Sequence, residues 1–360
     1  MLSTWRIVLQ VKDRLKLKNN SFISNIFAVI FATIVAVVSV GGLALGGYTI
    51  FKKQIDPLLG LKPTPEETSG KSLTNPTVAE NPEQGVTLDS IDSSLPNPQV
   101  LTMDGSGTMV KLIKLLRNGY TQINPNMPTT YGLDATGQPR NGEDVRPSGS
   151  DRGLKNLIEG KVLMVAISRP LKSEEVKAGI KAIPIARDAV AIVVGKANSF
   201  QGSLSKSQLR DIYTGKITNW QEVGGTNLPI KVYNRSLDSG TRDFFQDEVL
   251  LGERFAADSP DFKTWERDET TAVLRVLGNN GIYYTTVSQA ERQEIIRIVP
   301  IDGVSPEDRK AILERTYPIA RYVYLAIPKQ TSPAVKNFVD FAVSPEGQRI
   351  VEQADFIRLK

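Results

Sequence analysis

Two residue types are missing altogether: the 360-residue chain has no cysteine and no histidine. Without cysteine there is no disulfide framework, thiolate nucleophile, zinc–thiolate centre or acylated lipoprotein cysteine. Without histidine there is no Ser-His-Asp triad, no imidazole-ligated metal, and none of the side chain that most often moves protons near neutral pH. An acidic metal-binding run is absent as well, so a phosphatase or phosphoryl transferase is disfavoured and the chain is expected not to be an enzyme, with no cofactor and no metal. Excess positive charge is also missing from most of the chain. The formal net charge is +5, but residues 1 to 18 carry Arg6, Lys12, Arg14, Lys16 and Lys18 against Asp13 alone, and Lys52 and Lys53 follow. Everything after them is nearly neutral, which argues against a nucleic-acid footprint.

What is present begins with a stretch from Ser21 to Phe51 that holds no charged residue. Its length exceeds the roughly 20 apolar residues that span a bilayer. The expectation is a basic cytoplasmic tail over 1–21 and a transmembrane anchor over 22–51, with the N-terminus inside and the remainder extracytoplasmic, since basic residues precede the span. A cleaved signal peptide is the rival reading, with Ala44 and Gly46 as small residues for a cleavage site, although the apolar run is long for one. Residues 52–97 read as a linker, with seven prolines between Gln54 and Gln99 and no aromatic. A flexible coil of that length spans on the order of 40 Å, enough to hold a domain clear of the membrane.

From Val100 onward apolar runs alternate with segments of helical period, as an α/β fold requires. Leu163–Ile167, Ala189–Val194 and Tyr322–Ile327 read as buried strands. Met109, Leu112, Ile113 and Leu116 sit at helical spacing, as do Val335, Phe338, Val339 and Ala342. Three short segments rich in Gly, Ser and Thr each open a helix: Asp104-Gly105-Ser106-Gly107-Thr108, Ser148-Gly149-Ser150-Asp151-Arg152-Gly153, and Arg235-Ser236-Leu237-Asp238-Ser239-Gly240-Thr241-Arg242. The first N–H groups of a helix lack intrahelical partners and lie at its positive end, so each loop is suited to an anion. Any one of them is explained by ordinary capping. Three in one domain, one carrying Arg235 and Arg242, point to a shared tetrahedral oxyanion with arginine as a charged clamp. Neither a phosphate loop ending in Gly-Lys-Ser/Thr nor a G-x-G-x-x-G after a strand is present.

With these loops, with Ala166-Ile167-Ser168-Arg169-Pro170-Leu171, with the stretch from Asp211-Ile212-Tyr213-Thr214-Gly215 to Trp220, and with Ser344-Pro345-Glu346-Gly347-Gln348, residues 98 to 360 resemble the periplasmic phosphate-binding proteins, the solute receptors of ABC phosphate importers. The resemblance implies a two-lobed type II periplasmic-binding fold, with lobe one formed by 98–187 and 285–360 and lobe two by 188–284. It implies a membrane-tethered receptor with inorganic phosphate as ligand, an ABC permease as partner and no nucleic acid; an oxyanion-sensing ectodomain without a transport role is the alternative. Carried over by position, the ligand-binding residues are Thr108, Met109, Ser150, Ser168, Arg235, Ser239, Gly240 and Thr241. The chain departs from the family's pattern at Ser168, where relatives carry an aspartate that accepts the proton of bound hydrogen phosphate and repels sulfate, and at Leu237, where many carry Asp. Asp151 or Asp238 is the expected substitute acceptor. Asp104 is read as a turn or cap residue, Arg242 is left open between an anion contact and a cap on lobe two, and Trp220 is read as buried structure.

Overall fold

The computed structural model describes residues 90–134, 136–140, 146–291 and 293–359. The residues expected to form the basic tail, the transmembrane anchor and most of the linker lie outside the described residues; among those described, no helix is long and apolar enough to cross a membrane. Residues before the expected boundary at 98 already pack with the domain. Ile91 is buried in the first core, Asp92 bridges to Gln330, and Leu95 N–H donates to the Thr331 carbonyl at 2.9 Å.

The described strands form one twisted sheet in the order β2-β1-β3-β9-β4-β7-β5-β6, with β8 paired to β4. Here β1 is Leu101–Gly105, β2 Thr129–Tyr131, β3 Met164–Ile167, β4 Ile180–Gly195, β5 Lys231–Asn234, β6 Phe262–Thr264, β7 Gly281–Thr286, β8 Ile296–Val299 and β9 Ala320–Pro328. The parallel neighbours β1, β2 and β3 are joined through helices, whereas β9 runs antiparallel to both β3 and β4. Near-continuous burial along β4, from Ile183 to Gly195, is what a strand covered on both faces demands. Its first part pairs with β9 as far as Ala189 opposite Ala320, with a shift in register between Pro184 and Ala186. Its second part pairs with β7 from Val190 opposite Thr286, and with β8. One strand therefore belongs to both lobes.

The helices that matter for the site are α1 (Val110–Ile123), α2 (Ser150–Ile158), α3 (Ser173–Lys177), α4 (Lys206–Tyr213), α5 (Gly240–Glu248), α6 (Thr270–Leu274) and α7 (Val287–Ala290). α8 (Arg309–Leu313), α9 (Pro333–Val343) and α10 (Pro345–Gln353) complete the set. In lobe one, Leu112, Ile113 and Leu116 of α1 and Phe338 and Val339 of α9 cover one face of the sheet with Leu101, Met103 and Leu325, while Leu154 and Leu157 of α2 cover the other with Val165 and Ile167. Lobe two gathers Val190–Val194, Leu209, Phe245, Val273 and Tyr284. Val287, Ala290, Ile296, Val299, Ile301, Ile312 and Tyr317 join that second core. Residues 287–319, expected in lobe one, thus pack with lobe two, because β8 adds to the second half of β4; the chain returns to lobe one at β9.

Trp220 opens a short 3-10 turn after α4, stacks on Phe200 with ring centroids 5.1 Å apart, and donates its indole N–H to the Asn280 carbonyl at 3.0 Å. The motif that most marks the resemblance is core structure of lobe two.

Candidate functional site: a buried cluster of hydroxyls and arginines between the lobes

Three helix starts meet at the junction of the lobes. After β1 the chain makes a 3-10 turn, Gly107–Met109, whose N-cap Ser106 takes the Thr108 N–H on its hydroxyl at 3.3 Å before α1 begins. Asp104 at the end of β1 accepts from the N–H groups of Gly105 and Ser148, at 2.8 and 2.9 Å, and from Asn156 Nδ2 at 2.8 Å. It staples the first loop to the second, a tie across the chain where a local turn or cap role is expected. α2 starts at Ser150 and α5 at Gly240, with Gly149 and Ser239 as N-caps. No side-chain hydrogen bond caps either helix. Helix geometry gives the leading N–H groups no intrahelical partner, but the Asp151 N–H donates to the Asp238 carbonyl at 3.3 Å and the Arg242 N–H to the Ser239 carbonyl at 2.9 Å, which leaves the Ser150, Gly240 and Thr241 N–H groups as those that could meet a ligand.

The hydroxyls converge. Ser106 Oγ lies 2.8 Å from Thr108 Oγ1 and donates to Ser168 Oγ at 3.0 Å. Ser168 Oγ is 3.5 Å from Ser150 Oγ and 3.4 Å from Thr241 Oγ1, and the Ser168 N–H donates to Ser150 Oγ at 3.3 Å. All five of these residues are buried. They come from β1–α1, α2 and β3 of lobe one and from α5 of lobe two, so the cluster spans the cleft. Gly240 makes the approach of the two helix starts possible: a Cβ there would collide with Ser150 Oγ, lie 2.7 Å from Ser150 Cβ and lie 3.0 Å from Ser168 Oγ.

Arg235 sits fully buried at the end of β5. Its Nε donates to Ser239 Oγ at 2.7 Å, its Nη1 to Tyr283 OH at 2.8 Å and to Thr270 Oγ1 at 3.1 Å, and its Nη2 pairs with Asp268. Burial opposes the charge, but the Asp268 carboxylate more than offsets it and holds the guanidinium's pKa above its ordinary value. Burial likewise pushes the Tyr283 hydroxyl up to about 12, against the opposing pull of Arg235, so it stays a neutral acceptor. A second buried arginine, Arg321 of β9, donates from Nη1 to the Ser168 carbonyl at 2.8 Å and to Thr241 Oγ1 at 2.9 Å. Its remaining nitrogens hold Asp188 Oδ2 at 2.9 and 2.7 Å. Each of these two buried arginines is thus matched by one aspartate. An anion here would be held by oriented N–H groups, hydroxyls and helix ends rather than by surplus positive charge.

Of the eight expected site residues, Thr108, Ser150, Ser168, Gly240 and Thr241 lie in the cluster, and Arg235 with Ser239 forms its lobe-two wall. Met109 is placed differently from expectation: its N–H donates to the Ser106 carbonyl at 3.2 Å as part of the turn, and its side chain belongs to the first core. Neither expected substitute for the carboxylate missing at Ser168 joins the cluster through its carboxylate. Asp151 is engaged by Arg169 at 2.6 Å and Lys172 at 3.1 Å, and despite burial these cations hold its pKa below the ordinary value. Asp238 contributes its carbonyl, which accepts from the Asp151 N–H at 3.3 Å. Arg242 stacks on the Phe255 ring, 4.5 Å from its centroid, and is a lobe-two packing residue. Leu237 is exposed at 69%.

Three participants escaped the sequence reading. Ser106 was in plain view inside the first loop as an apparent cap. Arg321 carried a weak signal, a cation at the head of an apolar strand. Asp268, flanked by Glu266, Arg267 and Glu269, reads as a solvated loop, yet its side chain is only 3% exposed. The lobes also meet at Gln289 Nε2, 3.3 Å from the Gly107 carbonyl, and at Lys172 Nζ, 2.5 Å from Asp243 Oδ2.

Comparison with known proteins fits this arrangement. A Staphylococcus saprophyticus protein named phosphate-binding protein PstS is 28% identical over 273 residues, covering 71% of this chain and 79% of the relative. Protein SphX of Synechococcus elongatus is 28% identical over 282 residues, covering 72% and 77% respectively. A phosphate ABC transporter substrate-binding protein from Clostridium perfringens, solved with bound phosphate, superposes with a TM-score of 0.62 at 29% identity over 72% of this chain and 100% of its own. A phosphate transport receptor from Vibrio cholerae shares the fold, at a TM-score of 0.58 and 22% identity, over 72% of this chain and 100% of that one. The model of the PBP superfamily domain matches residues 76–346, about three quarters of the chain, and with the two-lobed α/β fold it places this protein in the PBP superfamily.

Proposed function

We propose that this chain is a membrane-tethered solute-binding protein that captures inorganic phosphate between its lobes and presents it to an ABC importer. The observation that carries the reading is the meeting of three helix starts, from both lobes, on one buried set of hydroxyls beside Arg235. Such a cage supplies hydrogen-bond donors on all sides of a tetrahedral oxyanion and has no group suited to attack it. The relatives named or solved as phosphate binders support the ligand. Thr108, Ser150, Ser168, Arg235, Ser239, Gly240 and Thr241 are the residues assigned to hold the anion, with the Met109 N–H joining after the turn relaxes. Each hydroxyl now bonded to another would rotate toward the ligand, and donors from both lobes would make binding favour the closed arrangement. The apolar run at 22–51 supports tethering to the membrane, which raises the receptor's effective concentration near its permease.

The test is isothermal titration of the full-length chain in detergent micelles, freed of bound anion, with phosphate and separately with sulfate. Phosphate heat at micromolar or lower concentration supports the receptor reading. Absence of phosphate heat refutes it, and uptake of phosphate into vesicles carrying a permease with and without this chain separates transport from sensing.

A further inference from the structure

Which way the hydrogens of the hydroxyl cluster point is decided at its edge. A hydroxyl can donate or accept, and an anion is held only by those that donate. Groups that can only donate fix the matter for their neighbours: the Thr108 N–H gives to Ser106 Oγ and the Ser168 N–H to Ser150 Oγ, both at 3.3 Å, and Arg321 Nη1 gives to Thr241 Oγ1 at 2.9 Å. Ser106 Oγ in turn donates to Ser168 Oγ at 3.0 Å. Ser150, Ser168 and Thr241 thus each accept one hydrogen bond and keep their own hydrogens to give. The hydroxyl contacts from Ser168 to Ser150 and to Thr241, at 3.5 and 3.4 Å, are the longest in the cluster and the ones an anion can replace.

Of these donors Arg321 alone is a side chain, and its surroundings hold it rigidly. It is buried on β9, its backbone opposite Asp188 of β4. Nε and Nη2 grip Asp188 Oδ2 at 2.9 and 2.7 Å, the other Asp188 oxygen accepts from the Thr286 hydroxyl, and the Phe244 ring centroid lies 5.5 Å from the guanidinium carbon. Nη1 then reaches the Ser168 carbonyl of lobe one, 2.8 Å away, as well as Thr241 of lobe two. Filling that carbonyl removes an acceptor that would compete with an anion for a hydroxyl hydrogen. With four hydrogen bonds committed in this way, the guanidinium serves the frame of the site rather than a ligand.

We propose that Arg321 is a positioning residue for anion capture: by donating from Nη1 to Thr241 Oγ1 and to the Ser168 carbonyl at once, it makes the Thr241 hydroxyl an obligate donor toward the ligand. This rests on the reading of the cleft as an oxyanion site. Arginine suits the task because its planar fork reaches Asp188 on one side and both lobes on the other in a fixed geometry, which a lysine ammonium on a flexible stem cannot reproduce. Because the two Nη1 partners belong to different lobes, the hydroxyl is set in this direction only while α5 lies against the end of β3.

The experiment is a double-mutant cycle on the full-length chain in detergent micelles, titrated with inorganic phosphate: wild type, Arg321→Lys, Thr241→Val, and the two replacements together, with thermal unfolding to show that each is folded. Arg321→Lys keeps a cation beside Asp188 but loses the fork, and should weaken phosphate about tenfold. Thr241→Val removes the hydroxyl and should weaken it at least as much. The combined variant should bind within about twofold of Thr241→Val alone, because without the hydroxyl there is nothing left for the arginine to direct. A second arm replaces the buried ion pair whole, Arg321→Met with Asp188→Leu, which leaves no unpaired charge, and repeats the cycle with Thr241→Val. Losses that multiply to about a hundredfold in the combined variant, or a folded Arg321→Lys with wild-type affinity, overturn the inference and leave the phosphate reading intact. Failure of both arms to fold makes the arginine a residue of the fold and also overturns it. A wild type that binds no phosphate overturns both readings.

Discussion

Replacing Gly240 with alanine separates closure of the lobes from stability of the fold. The added methyl group would collide with Ser150 Oγ, and the neighbouring Ser150 Cβ at 2.7 Å cannot be moved aside by a rotamer change. Ordinary carbon contacts lie near 3.5–4.0 Å, so α2 and α5 must part by about 1 Å. Gly240 is the first residue of α5, and alanine costs nothing there as a helix former, being favoured over glycine in helices by up to about 1 kcal/mol. The strain therefore falls on the contact between lobes, where overpacking costs about 1–3 kcal/mol. At about 1.4 kcal/mol per tenfold, Gly240→Ala should weaken phosphate binding about 5- to 150-fold with the apo melting temperature nearly unchanged. Isothermal titration and thermal unfolding of the same preparation read both quantities. A variant with wild-type affinity would show that the two helix starts do not meet as described.

Two further outcomes follow from buried groups. Trp220→Phe removes an indole N–H bonded to Asn280 and leaves part of a filled site empty, so it should cost about 1–3 kcal/mol by chemical denaturation and leave anion affinity unchanged; a selective loss of affinity would instead place the family's signature at the ligand. Asp151, held below its ordinary pKa by Arg169 and Lys172 against the effect of burial, contributes stability that is present above the usual carboxylate range near pH 4 and is lost as pH falls through its lower folded value. In Asp151→Asn the acid limb of stability against pH should be shallower than in the wild type below about pH 4, as read from urea midpoints; superimposable limbs would show that the ion pair is not felt.

Local chemistry explains which parts of the molecule were legible beforehand. Gly, Ser and Thr at a helix start act within a few residues, so the three loops and most of the clustered hydroxyls could be located from their own neighbourhoods, as could α1, whose Leu112, Ile113 and Leu116 are all buried. Asp268 and Arg321 depend on partners far away in sequence: Gly107 for the first, Asp188 and Ser168 for the second. No window around either residue contains the group that gives it meaning. The allegiance of residues 287–319 was misjudged for the same reason, since it is decided by β8 joining the far half of β4, a pairing across about a hundred residues. Ile91 looked like linker because prolines surround it, and its place in the first core comes from packing alone.

The shared strand β4 has a mechanical consequence. Its backbone is paired to β9 through Ala189 and to β7 from Val190, with no unbonded residue between the two ladders. A receptor hinged on a slack loop could swing freely, but this ribbon resists bending and yields mainly by winding and unwinding about its own length. The Asp188–Arg321 pair sits one residue from that changeover. Lobe motion should therefore resemble the turning of a torsion bar clamped at its middle, in which a small rotation at the hub sweeps the outermost faces through the largest arc, where a partner could sense whether the jaws are full or empty.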